Sequence, residues 1–157
     1  MPLLVIRHAH AGSRAEWDGN DDLRPLSQRG IDQARNIARR FGDVPLARIV
    51  SSPAVRCRQT VAPLADARGV DVTVDARLAE FVDSVRIDPV LDVIDSLPDD
   101  AAICSHGDVI PELIAALERR GMVIASEPCW RKGSVWVLDR MNGAWSRAIA
   151  VAPPDPS

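Results

Sequence analysis

The chain lacks the features that mark several large classes of protein. None of its apolar runs approaches the roughly 20 residues needed to cross a bilayer, and no leader segment is recognisable before the first apolar run. Its three cysteines, Cys57, Cys104 and Cys129, are an odd number without the spacing of a zinc site, which favours free thiols. We therefore expect a cytoplasmic protein that does not contact a membrane.

Several catalytic motifs are also missing. The chain has no P-loop and no Gly-x-Ser-x-Gly elbow. A cysteine phosphatase needs an arginine six positions after its cysteine, and those positions hold Pro63, Ile110 and Val135. These absences argue against P-loop nucleotide hydrolysis, an α/β-hydrolase triad and a cysteine nucleophile.

Lysine is nearly absent, since Lys132 is the single lysine among 19 basic residues. The net charge of −3 hides an asymmetry: residues 1–58 carry ten arginines and six acids, whereas residues 59–157 carry nine basic and sixteen acidic residues. No run of basic residues follows the first third of the chain. The balance favours a small anionic ligand over a nucleic acid, and arginine is the better planar phosphate binder.

What is present predicts one α/β domain. With 157 residues and 46% apolar content, the chain is long enough for one sizeable core. We expect a single domain over residues 1–152 and a frayed, Pro-rich tail over residues 153–157. Nothing in the sequence predicts the oligomeric state.

Apolar runs alternate with segments of helical period. Strands are expected at residues 3–6, 48–52, 70–74, 101–104, 134–138 and 145–151. Helices are expected after the N-cap Ser27, after Ser52-Pro53, over residues 87–97, and from the cap Asp108 to Leu117. The strand at residues 3–6 is continuously apolar, which is typical of a strand buried on both faces of a sheet.

Three strand-to-helix junctions each offer reactive side chains: Arg7 with His8, Ser52 with Arg56, and Ser105 with His106. Because the carboxyl ends of parallel strands meet at one edge of a sheet, we expect these side chains to converge. Guanidinium groups bind phosphoryl oxygens, and an imidazole can attack phosphorus. Taken singly, each residue also has an ordinary structural explanation. Arg7 and His8 could be polar residues at a solvated strand end, and Arg56 could lie on a solvated helix surface. His106 could be a capping or core histidine.

A metal site built from His8, His10 and His106 is a competing hypothesis. Arg7 and Arg56 would repel a cation there, so we predict neither a metal nor another cofactor.

The sequence resembles the histidine phosphatase superfamily, which also contains the cofactor-dependent phosphoglycerate mutases. The resemblance is carried by blocks in the family order, at residues 4–11 (LVIRHAHA), 24–30 (RPLSQRG), 51–60 (SSPAVRCRQT), 78–80 (LAE) and 105–107 (SHG). It implies a three-layer α/β/α sandwich with a mostly parallel central sheet. The short chain is most similar to the small SixA-type phosphohistidine phosphatases, and residues 109–111 and 131–138 resemble the phosphatase half of bacterial MutT-type nudix fusions.

The resemblance also implies roles for individual residues. His8 would be the nucleophile, and Arg7, Arg56 and His106 would hold the phosphoryl group. Glu80 matches the family's proton donor, with Asp83 nearby as the alternative acid. Ala9 departs from the family pattern, in which glycine is commoner at that position.

A further set of polar residues is predicted to contact the substrate around this pocket: Arg14, Arg24, Ser27, Arg131 and Lys132. Two of them, Arg14 and Arg24, belong to the long polar loop over residues 12–25. Such a loop is either an electropositive rim for a second anionic group or simply mobile and solvated.

The predicted function is a metal-independent phosphatase that hydrolyses a phosphate ester or phosphoramidate through a phosphohistidine. Its partner would be a phosphorylated small molecule or a phosphoprotein. Two alternatives remain open: a phosphoglycerate mutase-like phosphotransferase, and a module that binds a phospho-ligand without turnover.

Overall fold

The computed structural model of the protein describes residues 2–154 and contains seven strands and four α-helices in this range. The strands are β1 (Leu3–Arg7), β2 (Arg48–Ser51), β3 (Val72–Val74), β4 (Ala101–Ser105), β5 (Val123–Ile124), β6 (Val135–Met141) and β7 (Ala144–Val151). The helices are α1 (Gln28–Phe41), α2 (Val55–Arg68), α3 (Ile87–Ser96) and α4 (Val109–Arg119). Short 3₁₀ turns occupy Arg14–Glu16, Asp21–Leu23 and Ala76–Leu78.

All seven strands form one sheet in the order β3-β2-β4-β1-β6-β7-β5. The four strands from β3 to β1 are mutually parallel, whereas β6 runs antiparallel to both β1 and β7. The carboxyl ends of β1, β2 and β4 therefore meet at one edge of the sheet, which is where ligands bind in open α/β folds.

Strand β1 separates the two halves of the core. Leu3 and Val5 pack with residues of α3 and α4, while Leu4 and Ile6 pack with residues of α1 and α2. Because successive side chains of a strand point to opposite faces, this alternation places two helices on each side of the sheet. The predicted three-layer α/β/α architecture with a mostly parallel sheet is confirmed.

Helix α1 begins as predicted. The Ser27 hydroxyl accepts a hydrogen bond from the Gly30 amide at 3.1 Å, and Gly42 is the C-cap. The loop before α1 is not structureless, since its second 3₁₀ turn and the residue after it bring Asp21 to Arg56 and Arg24 to the Ala11 carbonyl.

Helix α4 begins at Val109, directly after Asp108, as predicted, whereas the start of α2 and the capping role of two side chains differ from the prediction. Helix α2 begins at Val55 rather than at Ser52-Pro53, and the Ser52 hydroxyl accepts a hydrogen bond from the Ala54 amide at 3.3 Å while it contacts His106 Nε2 at 2.8 Å. Asp108 is the N-cap residue of α4, but its side chain makes no capping hydrogen bond. Its carboxylate instead accepts a hydrogen bond from the Phe81 amide at 2.9 Å. A tertiary contact has thus taken the Asp108 side chain that the local sequence pattern assigned to capping, and the Ser52 side chain makes both a local and a tertiary contact.

The C-terminal segment follows β7. Pro153 is buried and its carbonyl accepts a hydrogen bond from Arg131 at 3.3 Å, so the chain is held to that residue. The remainder of the predicted tail, residues 155–157, lies outside the described residues. Among the helices described, none has the length and apolar character that a membrane crossing requires.

Candidate active site

A cavity of about 530 Å³ opens at the carboxyl edge of the parallel strands. Its lining is mostly basic and polar, and comprises Arg7, His8, Gly12, Ser13, Arg14, Arg24, Arg56, Glu80, His106, Gly107, Asp108 and Lys132. The three predicted junctions therefore converge on one cavity, together with Glu80 from the segment that follows β3.

His8 is 5% exposed and directly follows β1. Its Nδ1 lies 2.9 Å from the Ala9 carbonyl oxygen, and because a carbonyl can only accept, Nδ1 carries the proton. Nε2 is then left with its lone pair. Burial lowers the pKa of His8 to about 3, and the charges of His106, Arg56 and Arg7 act in the same direction, outweighing the hydrogen bond to Ala9. The ring is thus neutral at physiological pH, as a nitrogen nucleophile must be.

Arg7 is held by the backbone around it. Its guanidinium lies directly over Gly107, where a Cβ would sit 2.6 Å from Arg7 Cζ, and Nη1 donates to the Trp130 carbonyl. Burial lowers the pKa of Arg7, although Asp108 opposes the shift. A side chain at position 107 would displace the guanidinium, so glycine leaves Arg7 free to take this position.

Arg56, on the first turn of α2, is 1% exposed. Its Nη1 donates to the Asp21 carbonyl at 2.9 Å, and its Nη2 donates to the Glu80 carboxylate. Within residues 2–154, Arg56 Nε and Arg7 Nε are buried without a hydrogen-bond partner. Unsatisfied buried donors are costly, and both of these belong to arginines that line the cavity.

His106 follows β4 and faces His8, with the two ring centroids 5.4 Å apart at an interplanar angle of 64°. Its Nε2 is fixed by the Ser52 hydroxyl, and the Cys57 sulfur lies 3.6 Å away. Its Nδ1 lies 3.5 Å from Arg56 Nη2 and 3.8 Å from Glu80 Oε1. Cys57 and Cys104 are free and buried.

Glu80 lies at the mouth of the cavity. Its two carboxylate oxygens accept hydrogen bonds from Arg14 Nη2 at 2.9 and 2.8 Å. Partial burial acts to raise the pKa of Glu80, but the bond from Arg14 and the charges of His106, Arg14 and Arg56 together lower it. The alternative acid, Asp83, is exposed and lines a neighbouring cavity rather than this one.

The predicted rim residues divide into two groups. Arg14, Arg24 and Lys132 line the cavity, whereas Ser27 and Arg131 do not. The Ser27 side chain is taken up by the α1 cap and by His10 Nδ1 at 2.6 Å, and Arg131 is bound to the Pro153 carbonyl. These two predicted substrate contacts therefore lie outside the lining of this cavity.

Arg24 differs from a mobile rim residue. It is 7% exposed, and it donates to the Ala11 carbonyl at 2.8 Å and to the Asp21 carboxylate at 2.9 Å.

Burial lowers the pKa of Lys132, and the charges of Arg7, Arg24, Arg56 and Arg29 lower it further. The cavity therefore has a strongly positive potential, into which Lys132 adds a further cation.

Sequence reasoning missed two acids. The Asp21 carboxylate lies within 3.3 Å of Arg14, 2.9 Å of Arg24 and 3.2 Å of Arg56, so that it organises the arginines around the cavity. Asp108 lines the cavity and orients the Phe81 amide. The only sequence signal for Asp21 was its place in an arginine-bearing loop, where buried cations need a counter-charge.

The family model for the histidine phosphatase superfamily (branch 1) matches residues 3–82, about half of the chain. The chain belongs to this superfamily, and the predicted resemblance is confirmed. An 8-oxo-(d)GTP phosphatase of Mycolicibacterium smegmatis is 33% identical over 156 residues, which cover 98% of this chain and 48% of that protein. The chain thus spans about half the length of this relative.

Solved structures share the fold. A protein histidine phosphatase SixA complexed with tungstate superposes with a TM-score of 0.77 at 20% identity, covering 98% of this chain and 97% of that one. A mycobacterial glucosyl-3-phosphoglycerate phosphatase complexed with VO3 gives a TM-score of 0.69, also at 20% identity, over 96% of this chain and 97% of that one.

Proposed function

We propose that this protein is a cytoplasmic phosphatase that works through a phosphohistidine on His8 and needs no metal. One observation carries the proposal: a buried, neutral imidazole with a free Nε2 lies among Arg7, Arg56 and His106, and both arginines have an unsatisfied buried Nε. This arrangement provides a nucleophile together with fixed positive charge for the oxygens of a phosphoryl group.

In the first step, His8 Nε2 attacks phosphorus while Arg7, Arg56 and His106 bind the equatorial oxygens. The P–N bond forms as the bond to the leaving group breaks, and Glu80 in its protonated form gives its proton to the departing atom. Asp21 and the Thr60 hydroxyl act at a distance: Asp21 holds Arg56, and Thr60 fixes the Ala9 amide at 2.9 Å beside the nucleophile.

In the second step, Glu80 as a carboxylate accepts a proton from water, and the water oxygen attacks phosphorus. The P–N bond breaks, His8 returns to its neutral state, and inorganic phosphate leaves. Guanidinium groups supply the positive charge that a metal ion supplies in other phosphatases.

The substrate is a phosphorylated small molecule or a phosphoprotein. The similarity to an 8-oxo-(d)GTP phosphatase in sequence and to a protein histidine phosphatase in fold supports a nucleotide and a phosphohistidine as the first classes to assay.

Trapping a labelled phosphoenzyme tests the proposal. After a short reaction with a labelled phosphoryl donor and an alkaline quench, the wild-type protein should carry acid-labile label and His8→Ala should carry none. His10→Ala is the matched control, because His10 Nδ1 contacts the Ser27 hydroxyl of the α1 cap and is not among the residues lining the cavity.

Three outcomes would overturn the proposal. Label that persists in His8→Ala would move the nucleophile elsewhere. Phosphate binding without label or hydrolysis would indicate a binding module. Transfer of the label to a phosphoglycerate instead of water would indicate a mutase.

A further inference from the structure

Glu80, the proton donor of the proposed reaction, lies in an environment that keeps it deprotonated. Arg14 Nη2 contacts both of its carboxylate oxygens, and Arg56 Nη2 contacts one of them. A carboxylate held in this way has no proton to give to a leaving group. The contact with Arg14 must therefore change during turnover.

Of the two arginines, Arg14 is the one that is free to leave. The Arg56 side chain is 1% exposed and is fixed by both the carbonyl and the carboxylate of Asp21. The Arg14 side chain is 63% exposed and extends from a short 3₁₀ turn in the loop over residues 12–25. Asp21, at 3.3 Å from Arg14, keeps the guanidinium near the cavity when Glu80 releases it.

The charged groups that face Glu80 come from four segments. They are Arg14 and Asp21 from the 3₁₀ turns of the loop, Arg56 from α2, and His106 after β4. In the proposed reaction the substrate's phosphoryl group binds Arg56 and His106 and so offsets their charge. Arg14 then remains as the principal group that keeps the proton off Glu80.

We propose that Arg14 is a latch operated by the substrate: it holds Glu80 as a carboxylate until a second anionic group, close to the scissile bond, draws its guanidinium away. Glu80 then takes a proton from solvent and gives it to the leaving atom as the bond to phosphorus breaks. This inference deepens the proposed function and depends on it. It assigns the enzyme to substrates whose leaving group carries its own phosphate or carboxylate.

The wider cavity is consistent with a second anionic group. Lys132 lines the same space and is surrounded by arginines, and burial and these charges lower its pKa. An anion beyond the transferred phosphoryl group would therefore meet favourable potential rather than repulsion.

The first test is the pH profile of kcat with phenyl phosphate, which has a basic leaving group and no second anion. The profile of kcat reports groups in the enzyme–substrate complex, and activity falls as pH rises through the pKa of a general acid. Since Arg14 lowers the pKa of Glu80, Arg14→Gln should move this alkaline limb to higher pH and raise kcat at pH values above the wild-type limb.

Arg35→Gln is the matched control, because the Arg35 side chain is also 63% exposed but pairs with Asp32 on the surface of α1. Its limb should coincide with that of the wild type. An alkaline limb that stays in place in Arg14→Gln would overturn the latch, since a merely structural role lowers kcat without moving the limb.

The second test compares 2-phosphoglycolate, whose carboxylate is close to the bridging oxygen, with ethyl phosphate. The wild type should favour 2-phosphoglycolate in kcat/KM, and Arg14→Gln should reduce this preference about 10-fold, as expected for loss of one charge-assisted hydrogen bond. Equal losses on both substrates would place Arg14 in the phosphoryl pocket and overturn the latch. Failure of the proposed function is recognised separately, by absence of the phosphoenzyme in the wild type.

Discussion

At the scale of the residue, the protein is organised around one imidazole kept neutral by its surroundings. His8 lies in a buried position among three groups that disfavour a positive charge, so that burial and these neighbours lower its pKa to about 3. We expect 15N NMR of labelled histidine to show no protonation of His8 between pH 8 and about pH 5. The His8→Ala spectrum identifies its signals.

The same shift couples the stability of the fold to pH. At pH values between about 3 and about 6.5, His8 is protonated in the unfolded chain but neutral in the folded protein. The contribution of His8 is therefore complete above about pH 6.5 and is lost as the pH falls toward 3. A His8 resonance that titrates near pH 6.5 in the folded protein would contradict the assignment of a neutral nucleophile.

The sequence predicts the centre of the site better than its periphery. Arg7, His8, Arg56 and His106 follow strand ends or helix starts, so their convergence could be inferred from topology alone. The place of Asp21 in the site could not be inferred in this way, because its three ion pairs depend on how the loop over residues 12–25 folds back. Glu80 was found only through the family resemblance, since no local pattern distinguishes it from the other acids around it.

Ser27 and Arg131 show the opposite limit. Each is a polar residue in a block that resembles the family, and each is engaged by the chain itself, at a helix cap and at a C-terminal carbonyl. Sequence spacing identifies which residues are near a site, but it does not say what their hydrogen-bonding groups are already doing.

At the scale of the element, the close packing of α1 on the segment after β1 depends on Gly30. A Cβ at this position would lie 1.9 Å from the His10 carbonyl oxygen, which is backbone and cannot rotate away. On an exposed helix surface, Gly→Ala stabilises by up to about 1 kcal/mol, so the helix itself favours alanine here. The steric clash should reverse the sign.

We therefore expect Gly30→Ala to lower the free energy of unfolding by about 1–3 kcal/mol, the usual cost of overpacking. Urea denaturation measures this directly, with Arg35→Ala as a control that also introduces alanine on α1 but on its exposed side. A variant as stable as the wild type would mean that α1 can move away from His10 without penalty.

Most elements were predictable because they combine two independent signals. β1 has a continuous apolar run that meets both faces of the core, and α1 has a hydrophobic period together with a cap and a terminal glycine. β5 has only two residues and pairs with the edge of β7, so it is too short to show a hydrophobic periodicity in the sequence. Helix α2 starts two residues later than the Ser52-Pro53 pattern predicts, and the Ser52 hydroxyl lies between the Ala54 amide and His106 Nε2.

At the scale of the whole molecule, positive charge is concentrated at one edge of a sheet in a chain whose net charge is −3. The cavity is lined by Arg7, Arg14, Arg24, Arg56 and Lys132, against the two carboxylates of Glu80 and Asp108. A divalent cation entering this space would be repelled by most of the groups around it.

We accordingly expect phosphatase activity to be unchanged after dialysis against EDTA, because side chains supply the charge that stabilises the transition state. Activity is measured with p-nitrophenyl phosphate before and after dialysis. A large loss that zinc or magnesium restores would contradict this account of the cavity, whereas a loss restored by neither would indicate damage during dialysis.

The same concentration of charge implies that the protein without ligand is less stable than its core alone would make it. Buried Nε donors of Arg7 and Arg56 lack partners within residues 2–154, and mutual repulsion contributes to the lowered pKa of Lys132. A tetrahedral oxyanion bound between the arginines would offset the repulsion. Such an ion binds the folded state alone, so it should stabilise the fold by mass action.

We expect tungstate at about 100 times its dissociation constant to stabilise the fold by about 2.7 kcal/mol, and so to raise Tm by about 5–10 °C in a domain of this size. Sodium chloride at matched ionic strength controls for screening. His8→Ala should retain the rise because the arginines remain, whereas Arg56→Met should lose most of it even if its own Tm is lower. An equal rise with chloride, or an undiminished rise in Arg56→Met, would show that the anion binds elsewhere on the molecule.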